Sequence, residues 1–123
     1  MVKKVKIDPA GQMVAVKITF EGLIIASYQY VLWEAQSNQI LEKKDGNNQN
    51  PFDDTYSLPL PVAKNVGRII DVRTRFVGLD TDISKEYTIS VAVFQNGKMI
   101  DEAVDKGAIT GNSQLSQIYI ILI

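Results

Sequence analysis

The sequence predicts an all-β protein, an antiparallel β-sandwich of about eight strands. Apolar and polar residues alternate with a period of two through most of the 123 residues, which is typical of strands with one buried face. Turn signals rich in Gly, Asn, Asp and Pro interrupt this alternation repeatedly, and helical spacing is weak everywhere. The composition, 46% apolar and 22% charged, is that of an ordinary globular core and surface.

The first half of the chain contains the clearest strands and one long loop. Apolar residues alternate along Val14–Phe20 and again along Ile24–Leu32, which predicts two half-buried strands. A short polar strand, Gln39–Lys44, is expected next. Asp45–Asp54 combines Asp, Gly, Asn and Pro and contributes nothing to a core, so we expect a loop there.

Two prolines mark the strand after this loop. In Tyr56–Val62 the apolar residues alternate with Ser57, Pro59 and Pro61. Because proline donates no hydrogen bond to a neighbouring strand, this strand is expected at a sheet edge. The stretches Val62–Ile70 and Asp101–Lys106 each have room for one turn of helix.

The second half of the chain is also predicted to be strands. Ile70–Phe76 alternates, with Asp71 expected as a solvent-exposed position between apolar neighbours. Leu115–Ile123 ends in six consecutive apolar residues without a guarding Lys or Pro. Such a segment is an aggregation hazard at an edge, so it should lie inside a sheet.

Asn96-Gly97 is the most specific local signal, since this pair favours a two-residue type I′ hairpin turn. The turn predicts two cross-strand pairs, one on each face of the hairpin. These pairs are Val93 with Ile100, and Phe94 with Met99.

We therefore expect residues 1–123 to form one sandwich domain, with residues 1–12 as a candidate flexible N-terminal segment. The topology is expected to be immunoglobulin-like or jelly-roll, and a β-barrel is the alternative fold.

Composition excludes several kinds of chemistry. The chain has no cysteine and no histidine, which removes thiolate nucleophiles, Ser–His–Asp catalysis and the commonest metal ligands. A net charge of −1 offers no broad positive field for nucleic acid. No apolar run is long enough to span a membrane, and no signal peptide follows the basic start, so a cytoplasmic protein is expected, with secretion left open.

A calcium site is a weak hypothesis. The loop offers hard oxygen ligands within ten residues, in the form of Asp45, Asn47, Asp53 and Asp54. Their spacing matches no EF-hand, and the same residues are common in solvated loops. We therefore expect no cofactor.

Several apolar residues are expected on the outer surfaces of the sheets. If Tyr28, Tyr30 and Leu32 face the core, Trp33 faces outward unless a bulge shifts the register. Strands that are apolar on both faces need cover on both sides, which a two-layer sandwich of this size does not supply. The candidate partner-binding residues are Trp33, Phe94, Met99, Tyr119, Ile121 and Ile123.

These observations predict a non-enzymatic protein-binding or structural module that self-associates into a homo-oligomer. The alternative is a carbohydrate-binding module that uses exposed aromatic side chains and a loop-bound calcium ion.

Overall fold

The computed structural model describes residues 1–50 and 54–123, which form two packed sheets. Nine strands are present in these residues: β1 (Val2–Val5), β2 (Ala15–Glu21), β3 (Ile24–Trp33), β4 (Ile40–Asn47), β5 (Thr55–Ser57), β6 (Ile69–Gly78), β7 (Glu86–Gln95), β8 (Lys98–Ala108) and β9 (Gln114–Leu122). The five-stranded sheet has the order β1-β9-β6-β3-β4, and the four-stranded sheet has the order β5-β2-β7-β8. The predicted sandwich is confirmed, and the barrel alternative is wrong because neither sheet closes on itself.

The core lies between the two sheets and follows from the alternation in the sequence. On β3 the inward side chains, including Tyr30 and Leu32, are fully buried. Val91 and Val93 of the four-stranded sheet are buried opposite them. Because each strand places alternate residues on one side, the period-two pattern alone is sufficient to fill this space.

β6 is the central strand of the five-stranded sheet, since it pairs antiparallel with β3 on one side and β9 on the other. The apolar C-terminal segment is thereby placed inside a sheet, as predicted. The inward residues Ile118, Ile120 and Leu122 are at most 1% exposed.

Residues 1–12, the candidate flexible segment, are tied to the sandwich. β1 pairs in parallel with β9, and Ile7 is buried in the core. The Gln95 side chain accepts a hydrogen bond from the Asp8 backbone N–H and donates to the carbonyls of Asp8 and Gln12. Lys3 joins the two sheets through a 3.0 Å ion pair with Asp101.

The proline-rich strand is shorter than predicted. β5 ends at Ser57 and lies at the edge of the four-stranded sheet, so the edge position is confirmed. Pro61 then precedes a one-turn 3-10 helix, Val62–Asn65, as the sequence allowed. None of the described residues forms a helix long and apolar enough to cross a bilayer.

Two other local expectations are wrong. Asp101–Lys106 is part of β8 rather than a helical turn. The first residues of the predicted loop, Asp45 to Asn47, extend β4 because they pair with β3. Two residues of that loop interval, Asn48 and Asp54, are held by hydrogen bonds to β3 and β2.

The Asn96-Gly97 turn is confirmed, with positive φ angles of 55° and 77° at its two central residues. Phe94 pairs with Met99 as predicted. The other predicted pair is wrong: a register shift after Val93 sets that residue opposite Asp101 instead of Ile100. The extra residue of a bulge changes every pairing beyond it, and the sequence pattern does not reveal it.

Replacing Gly97 with valine is expected to destabilise the protein by about 1–2 kcal/mol, because a β-branched residue resists positive φ. A Cβ atom at this position meets nothing within 4 Å, so a steric clash does not contribute. Urea denaturation of Gly97→Val measures the effect, and Lys98→Val is the control for adding a β-branched residue beside the turn. Equal stability of Gly97→Val and wild type would contradict a type I′ turn.

Candidate functional site

The candidate site lies on the outer face, the surface of the five-stranded sheet that points away from the four-stranded sheet. Pairing registers align its side chains in rows that run across the strands. One row is apolar, the next surrounds Asp71, and the next two carry Arg73 and Arg75 beside polar side chains and the exposed Leu115. The central strand β6 contributes one residue to each row, namely Ile69, Asp71, Arg73 and Arg75.

Asp71 has a fully buried side chain on this outer face, contrary to the expectation of a solvent-exposed position. Its Oδ2 accepts hydrogen bonds from the Trp33 indole Nε1 at 3.1 Å and from Arg73 Nη2 at 3.2 Å. Its Oδ1 accepts a longer bond of 3.4 Å from Gln117 Nε2. Three side chains from three strands thus cover one carboxylate and compensate for its burial.

The same carboxylate fixes the orientation of its neighbours. The hydrogen bond and charge of Asp71 raise the pKa of the Arg73 guanidinium above its ordinary value, and the Tyr119 side chain acts in the same direction. Gln117 Nε2 also donates to the Tyr119 hydroxyl. Arg73 nevertheless keeps about half of its side chain in solvent, at 53% exposure, so its remaining N–H groups can still meet a ligand.

The apolar row consists of Trp33, Ile40, Ile69 and Ile121. These residues lie side by side on four adjacent strands, because Ile121 pairs with Ile69, Ile69 with Trp33, and Trp33 with Ile40. Ile40 is 46% exposed and the other three are half-buried. In the neighbouring row Val2, at 64% exposure, pairs with the half-buried Tyr119.

A groove of about 710 Å³ crosses the polar rows of the outer face. We call it the arginine groove; the side chains that define it are Ser27, Gln29, Asp45, Arg73, Arg75 and Gln117. A second hollow of about 560 Å³ shares Ser27 and Arg75 with it. These volumes fall in the range of small-molecule sites, about 300–1,000 Å³.

The predicted partner-binding residues do not form one surface. Trp33, Tyr119 and Ile121 share the outer face, and Ile123 lies one residue beyond β9 with 47% exposure. Phe94 and Met99 pair with each other on the opposite side of the molecule, on the four-stranded sheet. Trp33 does lie beside a bulge, but its indole remains on the outer face, half-buried against Asp71.

The calcium candidates are not brought together in the part of the chain that the structure describes. Asp45 lies on the edge strand β4, with its Oδ1 3.4 Å from Gln29 Nε2. Asp54 accepts a 2.7 Å hydrogen bond from the Tyr28 hydroxyl. Asp53 lies outside the described residues. Within residues 1–50 and 54–123, no three acidic side chains converge on one point.

Sequence reasoning missed Asp71, Arg73 and Arg75 as site residues, because all three resemble ordinary solvated strand positions. One signal was present in the sequence. The outward indole of Trp33 needs a hydrogen-bond acceptor, and Asp71 is the acidic residue of the predicted strand Ile70–Phe76. The pairing of β3 with β6 was required to recognise that the two meet.

Replacing Asp71 with asparagine is expected to destabilise the protein by about 1–3 kcal/mol, because one amide oxygen cannot serve three donors. The variant should also expose the indole of Trp33, the only tryptophan in the chain, to solvent. Urea denaturation and acrylamide quenching of tryptophan fluorescence measure the two effects. Asp45 is a carboxylate on the same face without this set of donors, so Asp45→Asn is the control and should change neither stability nor quenching. An Asp71→Asn protein with the stability and quenching of the wild type would contradict the assigned network.

Comparisons with known proteins find no match to this chain. No protein-family model matches the chain, and neither a curated protein nor a solved structure matches it. The chain's own residues and their geometry are therefore the basis for any statement about its function.

Proposed function

We propose that this protein is a non-enzymatic protein-binding module that associates with a second copy of itself through the outer face. The observation that carries the proposal is the apolar row, which runs unbroken across four strands and remains partly open to solvent. Burial of apolar surface favours association, and part of that gain offsets the freedom lost when two copies combine. A continuous row of large side chains is a better source of that burial than scattered single residues.

The edge strands of both sheets carry features that discourage strand pairing with another molecule, which favours contact through a sheet face. β1 carries Lys3 and Lys4 at one edge of the five-stranded sheet, and β4 carries Lys43 and Lys44 at the other. In the four-stranded sheet the edge strand β5 is only three residues long, and β8 contains a bulged pairing and the paired carboxylate of Asp101. Lysines, short strands and bulges at edges discourage edge-to-edge pairing.

The size of the outer face suits a homodimer. Five strands at the usual spacing, with ten residues along the central strand, give a face of about 24 Å by 33 Å. That is about 800 Å², close to what each partner buries in a standard-sized interface, so a contact centred on the apolar row buries only part of it and gives a weak dimer. A twofold axis would place the apolar row of one copy against the same row of the other, which is a closed arrangement.

The distribution of charge is compatible with this contact. Lys4 pairs with Ile121 and Lys43 with Val31, so both lysines lie on edge strands at the ends of their rows. Charges at a rim remain solvated when the apolar centre is buried. The buried Asp71 is already compensated by its donors. The exposed Arg73 and Arg75 lie farther along β6 and stay solvated when the contact is centred on the apolar row.

The proposal includes the statement that the protein is not an enzyme. Without histidine or cysteine, acid–base catalysis on the outer face would depend on carboxylate, lysine or tyrosine side chains. Asp71 is fully buried beneath Trp33, Arg73 and Gln117 and is therefore inaccessible to a substrate. Asp45 has only the long contact with Gln29, which does not hold it against a second carboxylate as paired-carboxylate mechanisms require.

Analytical ultracentrifugation tests the proposal. The wild-type protein is expected to sediment as a dimer at about 100 µM, and replacing Ile40 and Ile121 together with serine should give folded monomers. Met99→Ser, which removes an exposed apolar side chain from the opposite sheet, is the matched control and should remain dimeric. A wild-type protein that stays monomeric at this concentration, or a serine variant that stays dimeric, would overturn the proposal; circular dichroism establishes that each variant is folded.

A further inference from the structure

We propose that the arginine groove is a binding site for an acidic saccharide, a sugar chain that carries carboxylate groups. This inference goes beyond self-association and places the binding determinants on the polar rows of the outer face. It differs from the sequence-based carbohydrate hypothesis, which depended on exposed aromatic rings and a calcium ion. Its basis is the arrangement of Arg73 and Arg75 beside neutral amide side chains and one carboxylate.

Arg75 supplies the charge for such a ligand. It is exposed in the groove and has no hydrogen-bond or ion-pair partner among the residues that the structure describes. A guanidinium group matches a carboxylate with two parallel hydrogen bonds. Arg73 lies two residues away on the same face of β6, so the two side chains flank one part of the groove.

Arg73 is held in position before any ligand arrives. Asp71 takes one of its N–H groups and the Tyr119 side chain also interacts with it, while about half of the Arg73 side chain stays in solvent. Because Asp71 is itself fixed by Trp33 and Gln117, the guanidinium loses little freedom when it binds. A preorganised donor costs less conformational entropy on binding than a free side chain does.

The remaining polar groups of the groove fit sugar hydroxyls better than they fit an acidic peptide, and the exposed Leu115 beside Arg75 adds one apolar contact. Gln29 and Gln117 offer amide donors and acceptors, and Ser27 adds a hydroxyl. Asp45 lies across the groove on β4 and accepts hydrogen bonds from hydroxyl groups but repels additional acids. A ligand that combines one carboxylate with several hydroxyls on each ring satisfies both kinds of group.

The charge of the outer face supports an anionic ligand. Strand positions on this face carry four cationic side chains, Lys4, Lys43, Arg73 and Arg75, against two carboxylates, Asp45 and Asp71. The whole chain has a net charge of −1, so this positive excess is local. A local excess of one sign concentrates ligands of the opposite sign and speeds their association.

The groove and the apolar row are separate along the strands. Trp33 and Gln29, the nearest groove residue on β3, are four residues apart, which corresponds to about 13 Å. A dimer contact centred on the apolar row therefore leaves the two activities separable by mutation. We test the groove in the wild-type protein and in the Ile40→Ser, Ile121→Ser variant, so that failure of self-association does not affect the result.

Isothermal titration calorimetry with a tetramer of galacturonic acid tests the site. Binding is expected, and the methyl-esterified tetramer, which has the same rings without the negative charges, should bind at least tenfold more weakly. Arg75→Gln should weaken binding of the acid tetramer by a similar factor. Lys106→Gln, which removes one exposed positive charge from the four-stranded sheet, is the matched control and should bind as the wild type does.

Three results would overturn the proposal. The first is no binding of the acid tetramer to either protein, and the second is equal binding of the acid and its methyl ester. The third is binding of hexaglutamate at least as tight as that of the tetramer, since the groove would then recognise an acidic peptide.

Discussion

The pairing of β6 with both β3 and β9 is the constraint on which the rest of the structure depends. A slip of one residue in either register would reverse the faces of a ten-residue strand. Ile70 and Val72 would then leave the core, and Asp71 would enter it. The alternation of the three strands therefore fixes the core and the outer face at once, and every row on the outer face follows from the same registers.

A buried carboxylate on the outside of a sheet is costly unless donors surround it. Asp71 meets this requirement with Trp33 from β3, Arg73 from its own strand and Gln117 from β9. These contacts connect the three central strands on the side away from the core. They also separate the apolar row from the arginine groove, because the indole lies on one side of Asp71 and the guanidinium on the other.

The sequence predicted those features that depend on local pattern, such as the inward rows, the Asn96-Gly97 turn and the unguarded C-terminal strand inside a sheet. It did not predict those that depend on contacts between distant segments. The parallel pairing of β1 with β9 requires the two ends of the chain to be adjacent. The groove was missed for the same reason, since its residues come from strands whose order the alternation does not specify. The bulge after Val93 is local to the β7–β8 hairpin, but the alternation carries no signal for it.

Trp33 connects the two proposed activities physically. Its ring belongs to the apolar row, while its N–H holds the carboxylate that orients Arg73. If a second copy packs on the ring and tightens this network, the groove becomes more ordered and binds its ligand more tightly. The bound ligand must then stabilise the dimer by the same free energy. If the second copy instead covers part of the groove, each event must weaken the other. The coupling between the two has to be reciprocal in either case, because two linked binding equilibria change each other's affinity by the same factor.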